Sequence, residues 1–497
     1  MKLALVRPPF YSLFGVTTPK MKTYPLNLLY LGSYVRKNTN WEVSIIDGEN
    51  VVREDTSPCF STTSDPELIM NAQIPKMEAL LNESENEFWD LIESEIISHK
   101  PDLVGITCNS GSMDTVRILV KRLKNHDIPV VLGGSHPTVL PQQSLIYTSA
   151  DMAVIGEGEI ALLDLLHAFE GTADFSEVRS LAWRRSDNVI LNSRADLIPD
   201  LNALPAPDRS LIDRSQYYGD VMMTGRGCPF DCAYCASRNI WGKKARLRSV
   251  DSIIEELKDI RRRAEKSLVE CKNDMNDVDS APGRWVVKIL DDTFTVIKSR
   301  TMDLLDAIID SGLNCFEYTG GVRADTLDRK LVQKMRQANF KRVTLGVESG
   351  SPRILKLIRK GESNEQVVKA VSILREEGIK SHTFFMIGFP EETQADIDLS
   401  KKLILRARPD HVEINMVTPY PGTDIFSKII KDDPKTIDRW YRWFHQGLAT
   451  HSETLGYDLD EAYRNFLEFA KEYHASRKIS SPDVDETITK GAGSAGH

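Results

Sequence analysis

No segment of the 497-residue chain approaches the ~20 consecutive apolar residues of a membrane-spanning helix, so no membrane span is expected. Basic residues are not in excess either. With 63 Lys and Arg against 72 Asp and Glu, the net charge of -9 argues against broad phosphate-backbone binding, which depends on clustered cations, and nucleic acid is not an expected partner. The apolar start Met1-Lys2-Leu3-Ala4-Leu5-Val6 runs straight into Arg7-Pro8-Pro9, too short for a secretory core, and a cytoplasmic location is expected. Cysteine is scarce: seven in all, three of them in one short run, which suits a reducing compartment better than a disulfide framework. Cys59, Cys108, Cys271 and Cys315 read as ordinary free thiols. What is present, 41% hydrophobic and 27% charged residues, is ordinary for a globular protein and leaves room for two or three domains.

The run Gly227-Cys228-Pro229-Phe230-Asp231-Cys232-Ala233-Tyr234-Cys235 sets three thiols close together on a loop that starts with Gly and Pro. Three thiolates ligate three irons of a [4Fe–4S] cube, whereas a dedicated electron carrier brings four. No fourth cysteine lies nearby, which leaves one iron open for chemistry, as a catalytic metal site keeps a free position. A zinc knuckle would want a fourth Cys or His close by, and none occurs between Cys235 and Cys271. The run resembles the CxxxCxxC signature of the radical S-adenosylmethionine (SAM) superfamily. The resemblance implies that the open iron is chelated by SAM, whose reductive cleavage gives a 5′-deoxyadenosyl radical.

Ahead of that run, short apolar stretches alternate with helical patterns, the order of an open α/β sheet. Strands are predicted at 2–6, 42–46, 103–107, 130–132 and 152–155, and helices at 27–38 and 86–98. Ligands in such sheets sit outside the carboxyl ends of the strands, and those ends carry Asp47-Gly48, Thr107-Cys108-Asn109-Ser110, Gly133-Gly134-Ser135-His136-Pro137-Thr138 and Gly156-Glu157-Gly158-Glu159. This set of tips looks like the cobalamin-binding domain that precedes the cluster domain in many radical SAM enzymes. The resemblance implies cobalamin contacts from Thr107, Asn109, Ser110, Gly133, Gly134, His136, Pro137, Gly156, Glu157 and Gly158. Where other cobalamin enzymes place an Asp-x-His-x-x-Gly element, this chain reads Arg7-Pro8-Pro9-Phe10, so no lower-axial histidine is expected. A flavodoxin-like domain that binds nothing stands as the alternative. Residues 51–74, rich in Ser, Thr, Asp and Glu, read as a long loop, and the Pro-containing stretch 198–213 as a semi-rigid extended linker.

After the linker six strands (221–224, 286–290, 315–319, 342–347, 383–387, 411–417) alternate with helices, fitting a partial (β/α)6 barrel of the TIM type. In such barrels the chemistry gathers at the carboxyl ends of the strands. There the resemblance implies three cluster ligands, Cys228, Cys232 and Cys235, and SAM contacts from Tyr234, Asp291, Asp292, Arg323, Glu348, Ser349, Gly388, Pro419 and Tyr420. Asp291 and Asp292 would receive the SAM amino group, and Arg323 would grip its carboxylate with two prongs. The polar insertion 271–283 alternates Asp and Asn but lacks the Gly and terminal Glu of an EF-hand, which excludes a calcium loop. An aromatic run, Trp440-Tyr441-Arg442-Trp443-Phe444-His445, and a helix at 459–476 form a small cap, its aromatics expected in packing rather than in a substrate wall.

The expected division is a Rossmann-like cobalamin-binding domain at 1–197, a linker at 198–215, the barrel with its cluster at 216–425, a helical cap at 426–480 and a disordered tail at 481–497. The chain is identified as a member of the cobalamin-dependent radical SAM family, with a [4Fe–4S] cluster, SAM and cobalamin as cofactors. Methylation of an unactivated carbon is the activity implied. Alternatives are a cyclase, oxidase or rearrangement enzyme of the same family, and a cobalamin-binding sensor with a structural cluster. Implied partners are a small-molecule substrate, such as a biosynthetic intermediate or a peptide, and a flavodoxin or ferredoxin type reductant.

Overall fold

The computed structural model describes residues 1–10, 24–51, 74–82, 85–217, 219–271, 287–313, 316–430, 440 and 455–479. Most of the predicted loop at 51–74, the insertion after Cys271, Cys59, Cys315, the aromatic run past Trp440 and the tail lie outside these residues.

The first sheet has seven strands in the order β2-β1-β3-β4-β5-β6-β7: β1 (Lys2–Arg7), β2 (Glu42–Asp47), β3 (Leu103–Thr107), β4 (Val130–Gly133), β5 (Met152–Val154), β6 (Leu181–Arg185) and β7 (Asn188–Leu191). The first five pair in parallel, and their central members are apolar on both faces because helices cover both. Leu3, Leu5 and Val131 pack on Leu28, Val35, Leu162 and Leu165 of helices Leu26–Asn38 and Gly158–Phe169. On the other face Ala4, Val6 and Val104 pack on Trp89, Ile92, Val116 and Leu119 of helices Glu87–Ser98 and Met113–Leu123. Asn86, the first residue of the helix predicted at 86–98, is instead the N-cap of helix Glu87–Ser98, its side chain accepting from Phe88 N at 3.0 Å.

Two features differ from the sequence reading. The antiparallel hairpin β6–β7 extends the sheet through a two-residue turn, Ser186-Asp187, with Ser186 at φ +54°; the turn lacks the Asn-Gly or Asp-Gly that marks such hairpins. The segment expected to be an extended linker is instead folded into 3-10 turns at Leu201–Ala203, Arg209–Leu211 and Arg214–Gln216, capped by Asp200, Asp208 and Asp213. It is also pinned: buried Arg209 donates to Glu256 at 2.6 Å and buried Arg214 to Asp220 at 2.7 Å.

The second sheet takes its six parallel strands in simple chain order, an open partial barrel. They are β8 (Asp220–Met222), β11 (Val287–Ile289), β12 (Phe316–Val322), β13 (Arg342–Glu348), β14 (Lys380–Ile387) and β15 (His411–Met416), with β9 (Gly225–Arg226) and β10 (Arg246–Leu247) forming a short antiparallel ribbon after β8. Helices Val250–Cys271, Lys298–Asp310, Arg329–Gln337, Asn364–Glu376 and Gln394–Ala407 cover the outside. The last strand would be an open edge, and helix Leu459–Ile479 covers it: Tyr463 Oη donates to Ile414 O at 3.2 Å and Tyr473 Oη to Pro409 O at 2.7 Å. The aromatics of this helix pack, as Phe466 and Tyr463 join the barrel's outer core.

Candidate active site between the two sheets

The chain leaves β9 through Gly227, which has φ +90° and where a Cβ would stand 2.5 Å from the Lys244 carbonyl oxygen, so only glycine fits. The cysteine loop that follows is stitched to its surroundings by backbone. Ala233 N donates to Ile358 O at 2.9 Å, and Ile425 N donates to Ala233 O at 3.3 Å. A ring of alternating charges, Asp231, Arg238, Asp424 and Arg359, closes the loop against the segments after β13 and β15. Cys228, Cys232 and Cys235 are free and half-buried. Burial pushes the Cys232 thiol up and the Cys235 thiol up to about 11, so at neutral pH they ionise on taking a metal. Three soft donors from one loop suit an iron–sulfur cluster.

β8 and β11 are neighbours, which brings Asp291 and Asp292 to the base of this loop. Asp292 accepts from Gly227 N at 2.9 Å and from Ser237 Oγ at 2.8 Å, while Asp291 accepts from Thr224 N at 2.6 Å and from the Thr224 hydroxyl. Burial pushes Asp291 up to about 6. Asp292 thus braces the start and end of the cysteine loop, and Asp291 holds Thr224 just ahead of β9, a use the sequence reading did not anticipate for them.

At the end of β13, Glu348 holds φ +67°, and its Oε1 accepts from Tyr234 Oη at 2.9 Å and from Lys360 Nζ at 3.0 Å. Gly346 makes room for this pair, since a Cβ there would stand 2.5 Å from Glu348 Oε1. Lys360 also lies 3.3 Å from Glu362, and all three charged residues are buried. Arg323 differs from its expected role: its two prongs already close on Asp325 at 3.0 and 2.8 Å, its Nη1 donates to Lys360 O at 2.8 Å, and its guanidinium lies 3.8 Å over the Phe230 ring. Lys360 and Glu362, missed from the sequence, flank Gly361 in a turn without periodicity. Ser349 is fully buried beside Glu348. Gly388, at φ +94°, donates its N–H to Glu392 at 2.6 Å, and Pro419 and Tyr420 lie just past β15, with Tyr420 N donating to Thr418 O at 2.8 Å. The structure therefore gathers the expected SAM residues at one end of the barrel.

The first sheet presents a comparable end. Thr107 accepts from Asn27 at 2.9 Å, and exposed Asn109 turns its Oδ1 to Ser112 N at 2.9 Å. Gly134 sits at φ +107°, where a Cβ would meet Cys108 O at 2.6 Å; Gly133 and Gly156 look onto open space, where a Cβ would meet nothing within 4 Å. Open space over glycine backbone at the ends of β4 and β5 suits a large ligand. Buried Pro137 and Gly158, packed against Leu31, complete the rim. His136 is a correction to the expected contacts. Its Nδ1 pairs with Ser110 Oγ and its Nε2 with Gln143 Oε1, both at 2.8 Å, and its ring meets Trp440 at 4.4 Å, so neither nitrogen is offered outward. Burial lowers its pKa to about 4, which keeps it neutral. Arg7, where an axial histidine element would begin, pairs with Asp47.

The two ends face each other. Helix Ser135–Val139, which follows Gly133-Gly134, lies on helix Ser237–Trp241, which follows Cys235. Glu157, expected to touch cobalamin, spends its carboxylate across this junction, accepting from Arg226 and Arg246 at 2.7 Å each, and Glu159 accepts from Arg226 at 2.5 Å. Arg226 sits between the Tyr30 and Trp241 rings, 5.3 Å from each centroid. Asp47 completes the junction by accepting from Tyr217 Oη at 2.7 Å.

Residues 222–404 match the radical SAM superfamily and residues 13–166 the B12 binding domain. The chain is 30% identical over 455 residues to PH0819 of Pyrococcus horikoshii, described as an uncharacterized methyltransferase, covering 89% of this chain and 86% of that one. It is 26% identical over 475 residues to the anaerobic magnesium-protoporphyrin IX monomethyl ester cyclase of Synechocystis, covering 91% and 82%. Among solved structures, the radical SAM methyltransferase TsrM from Kitasatospora setae, with cobalamin and a [4Fe-4S] cluster bound, superposes with a TM-score of 0.65 at 16% identity, covering 94% of this chain and 85% of that one. No described helix is long and apolar enough to cross a membrane.

Proposed function

Because the chain belongs to the B12-binding branch of the radical SAM superfamily, we propose that it is a methyltransferase placing a methyl group on an unactivated carbon of a small-molecule substrate. The relative named a methyltransferase, matched over nearly the whole of both chains, carries this reading. When bound, cobalamin and a cluster with SAM supply a methyl carrier and a means of making a carbon radical, which an sp3 carbon needs because it is no nucleophile. Cys228, Cys232 and Cys235 would hold the cluster. Tyr234, Glu348, Ser349, Gly388, Pro419 and Tyr420 would line the SAM side, with Lys360 as the buried cation beside them. Thr107, Asn109, Ser110, Gly133, Gly134, Pro137, Gly156 and Gly158 would hold cobalamin. Asp292 braces the cysteine loop, Asp291 holds Thr224 ahead of it, and the Glu157–Arg226 junction keeps the two cofactor faces opposed. We place the enzyme in the cytoplasm, served by a flavodoxin or ferredoxin type reductant, with domains at 1–197 and 216–425.

The test is anaerobic reconstitution with iron, sulfide and cobalamin, followed by reduction with SAM in the presence of candidate substrates. A methylated product with two SAM consumed, one released as 5′-deoxyadenosine and one as S-adenosylhomocysteine, is expected. Formation of 5′-deoxyadenosine with a product that gains no methyl would assign the cyclase-type activity instead. Absence of both nucleosides would point to a sensor.

A further inference from the structure

We propose that the barrel carries a second metal site, for a divalent cation of the zinc class, built from His382, His411 and Glu413 at the end of the sheet opposite the cysteine loop. His382 lies beside His411 in the β14–β15 register, and Glu413 follows two residues on. Phe385, Ile387, Val412, Ile414 and Met416 belong to the core under the outer helices. Side chains alternate along a strand, so His382, His411 and Glu413 share the other face. One potential ligand atom from each lies within 4.8 Å of the other two, and the two imidazoles stand at 84° with centroids 4.4 Å apart.

The independent sign of a ligand is His382. The residue is 8% exposed, and neither buried ring nitrogen makes a hydrogen bond. Its Nε2 approaches Glu413 Oε2 to 3.1 Å without hydrogen-bond alignment, so the contact leaves the imidazole unsatisfied. Thr344, next to His382 in register, also leaves its buried hydroxyl unpartnered. Unpaired buried polar groups are costly, and a cation would relieve the cost at His382. His411 is exposed and Glu413 partly so, which gives an ion access. Two imidazoles and a carboxylate form a zinc-type set with a fourth position for water, and imidazole disfavours magnesium and calcium. His474 of helix Leu459–Ile479 stacks on His411 at 4.9 Å, so a bound cation would fix β14, β15 and, through this ring, the helix covering the edge. Its place away from the cysteine loop makes the role structural.

The experiment titrates Zn2+ into the full cluster-loaded chain, and into a Cys228→Ser/Cys232→Ser/Cys235→Ser chain lacking the three cluster thiols, against a chromophoric chelator. Both should bind a single zinc ion with only nitrogen and oxygen neighbours by X-ray absorption. His411→Ala/Glu413→Gln, changes at accessible positions, should weaken that binding roughly hundredfold and abolish the zinc-induced rise in melting temperature. Zinc retained equally by the double variant, sulfur neighbours in the thiol-containing chain, or no zinc bound by either chain would overturn the site and leave His382 and Glu413 as an ion pair only.

Discussion

Arg226→Met tests the junction between the two sheets. The guanidinium donates to Glu157 at 2.7 Å and to Glu159 at 2.5 Å, and its side chain is 6% exposed against 4% for both carboxylates. Met keeps much of the volume between the Tyr30 and Trp241 rings but removes the charge. Glu157 retains Arg246, whereas Glu159 loses the cation that neutralises it in a buried place. Breaking a buried pair from one side costs about 3–5 kcal/mol; with Glu157 still paired, the low end, about 3 kcal/mol, is expected. Urea unfolding at pH 7 of the wild type, Arg226→Met, Glu159→Gln and the double variant gives a cycle in which the double variant recovers most of the loss. The pH dependence follows from Glu157. Burial would raise its carboxyl, but hydrogen bonds from Arg246 and Arg226 outweigh burial and hold it below its ordinary 4.5. A carboxylate lowered in the folded state stabilises it above that ordinary value, and the contribution drains away as pH falls below it. The gap between wild type and Arg226→Met should therefore narrow below about pH 4.5. A loss under about 1 kcal/mol at pH 7, or a double variant no better than Arg226→Met, would refute the junction's importance.

Gly134→Ala forces a side chain onto φ +107° and within 2.6 Å of Cys108 O, so a loss of about 1–3 kcal/mol is expected, with less cobalamin absorbance surviving desalting. Burial raises Glu392 from 4.5 to about 7, so the folded state holds the proton more tightly and stability falls as pH climbs between those values. Glu392→Gln should flatten that fall, by about 3 kcal/mol at most, in melting temperatures measured from pH 5 to 8. Lys360→Met strips the buried Glu348 carboxylate of its cation; about 3–5 kcal/mol of stability and most SAM binding, read by equilibrium dialysis, should go.

Local signals carried far in the sequence. Strand runs such as 103–107 and 342–347 are apolar enough to be read directly, and the close spacing of Cys228, Cys232 and Cys235, with its resemblance to the CxxxCxxC signature, carries the expectation of a cluster. The glycines at strand ends were legible because backbone geometry demands them: Gly134 and Gly227 have no room for a Cβ. What stayed hidden depends on partners far along the chain. Glu157 reads as a tip residue until Arg226 and Arg246 meet it, 69 and 89 positions away. Nearer partners hide as well when nothing in the pattern shows which way a side chain turns: Arg323 looks free for a ligand until Asp325, two residues on, takes both prongs, and His136 looks available until Ser110 and Gln143 fill its nitrogens. The 3-10 turns after residue 200 are too short to leave a period, and the β6–β7 hairpin lacked its usual turn residues.

The first sheet's core is finished by residues from the other end of the chain: Phe426 and Trp440 pack among Met113, Val116 and Leu145, and Trp440 is wholly shielded from water. During synthesis the ribosome must deliver more than two hundred further residues before that layer can close. Closure of that layer beside His136, whose ring Trp440 meets at 4.4 Å, is thereby tied to a segment made after the barrel.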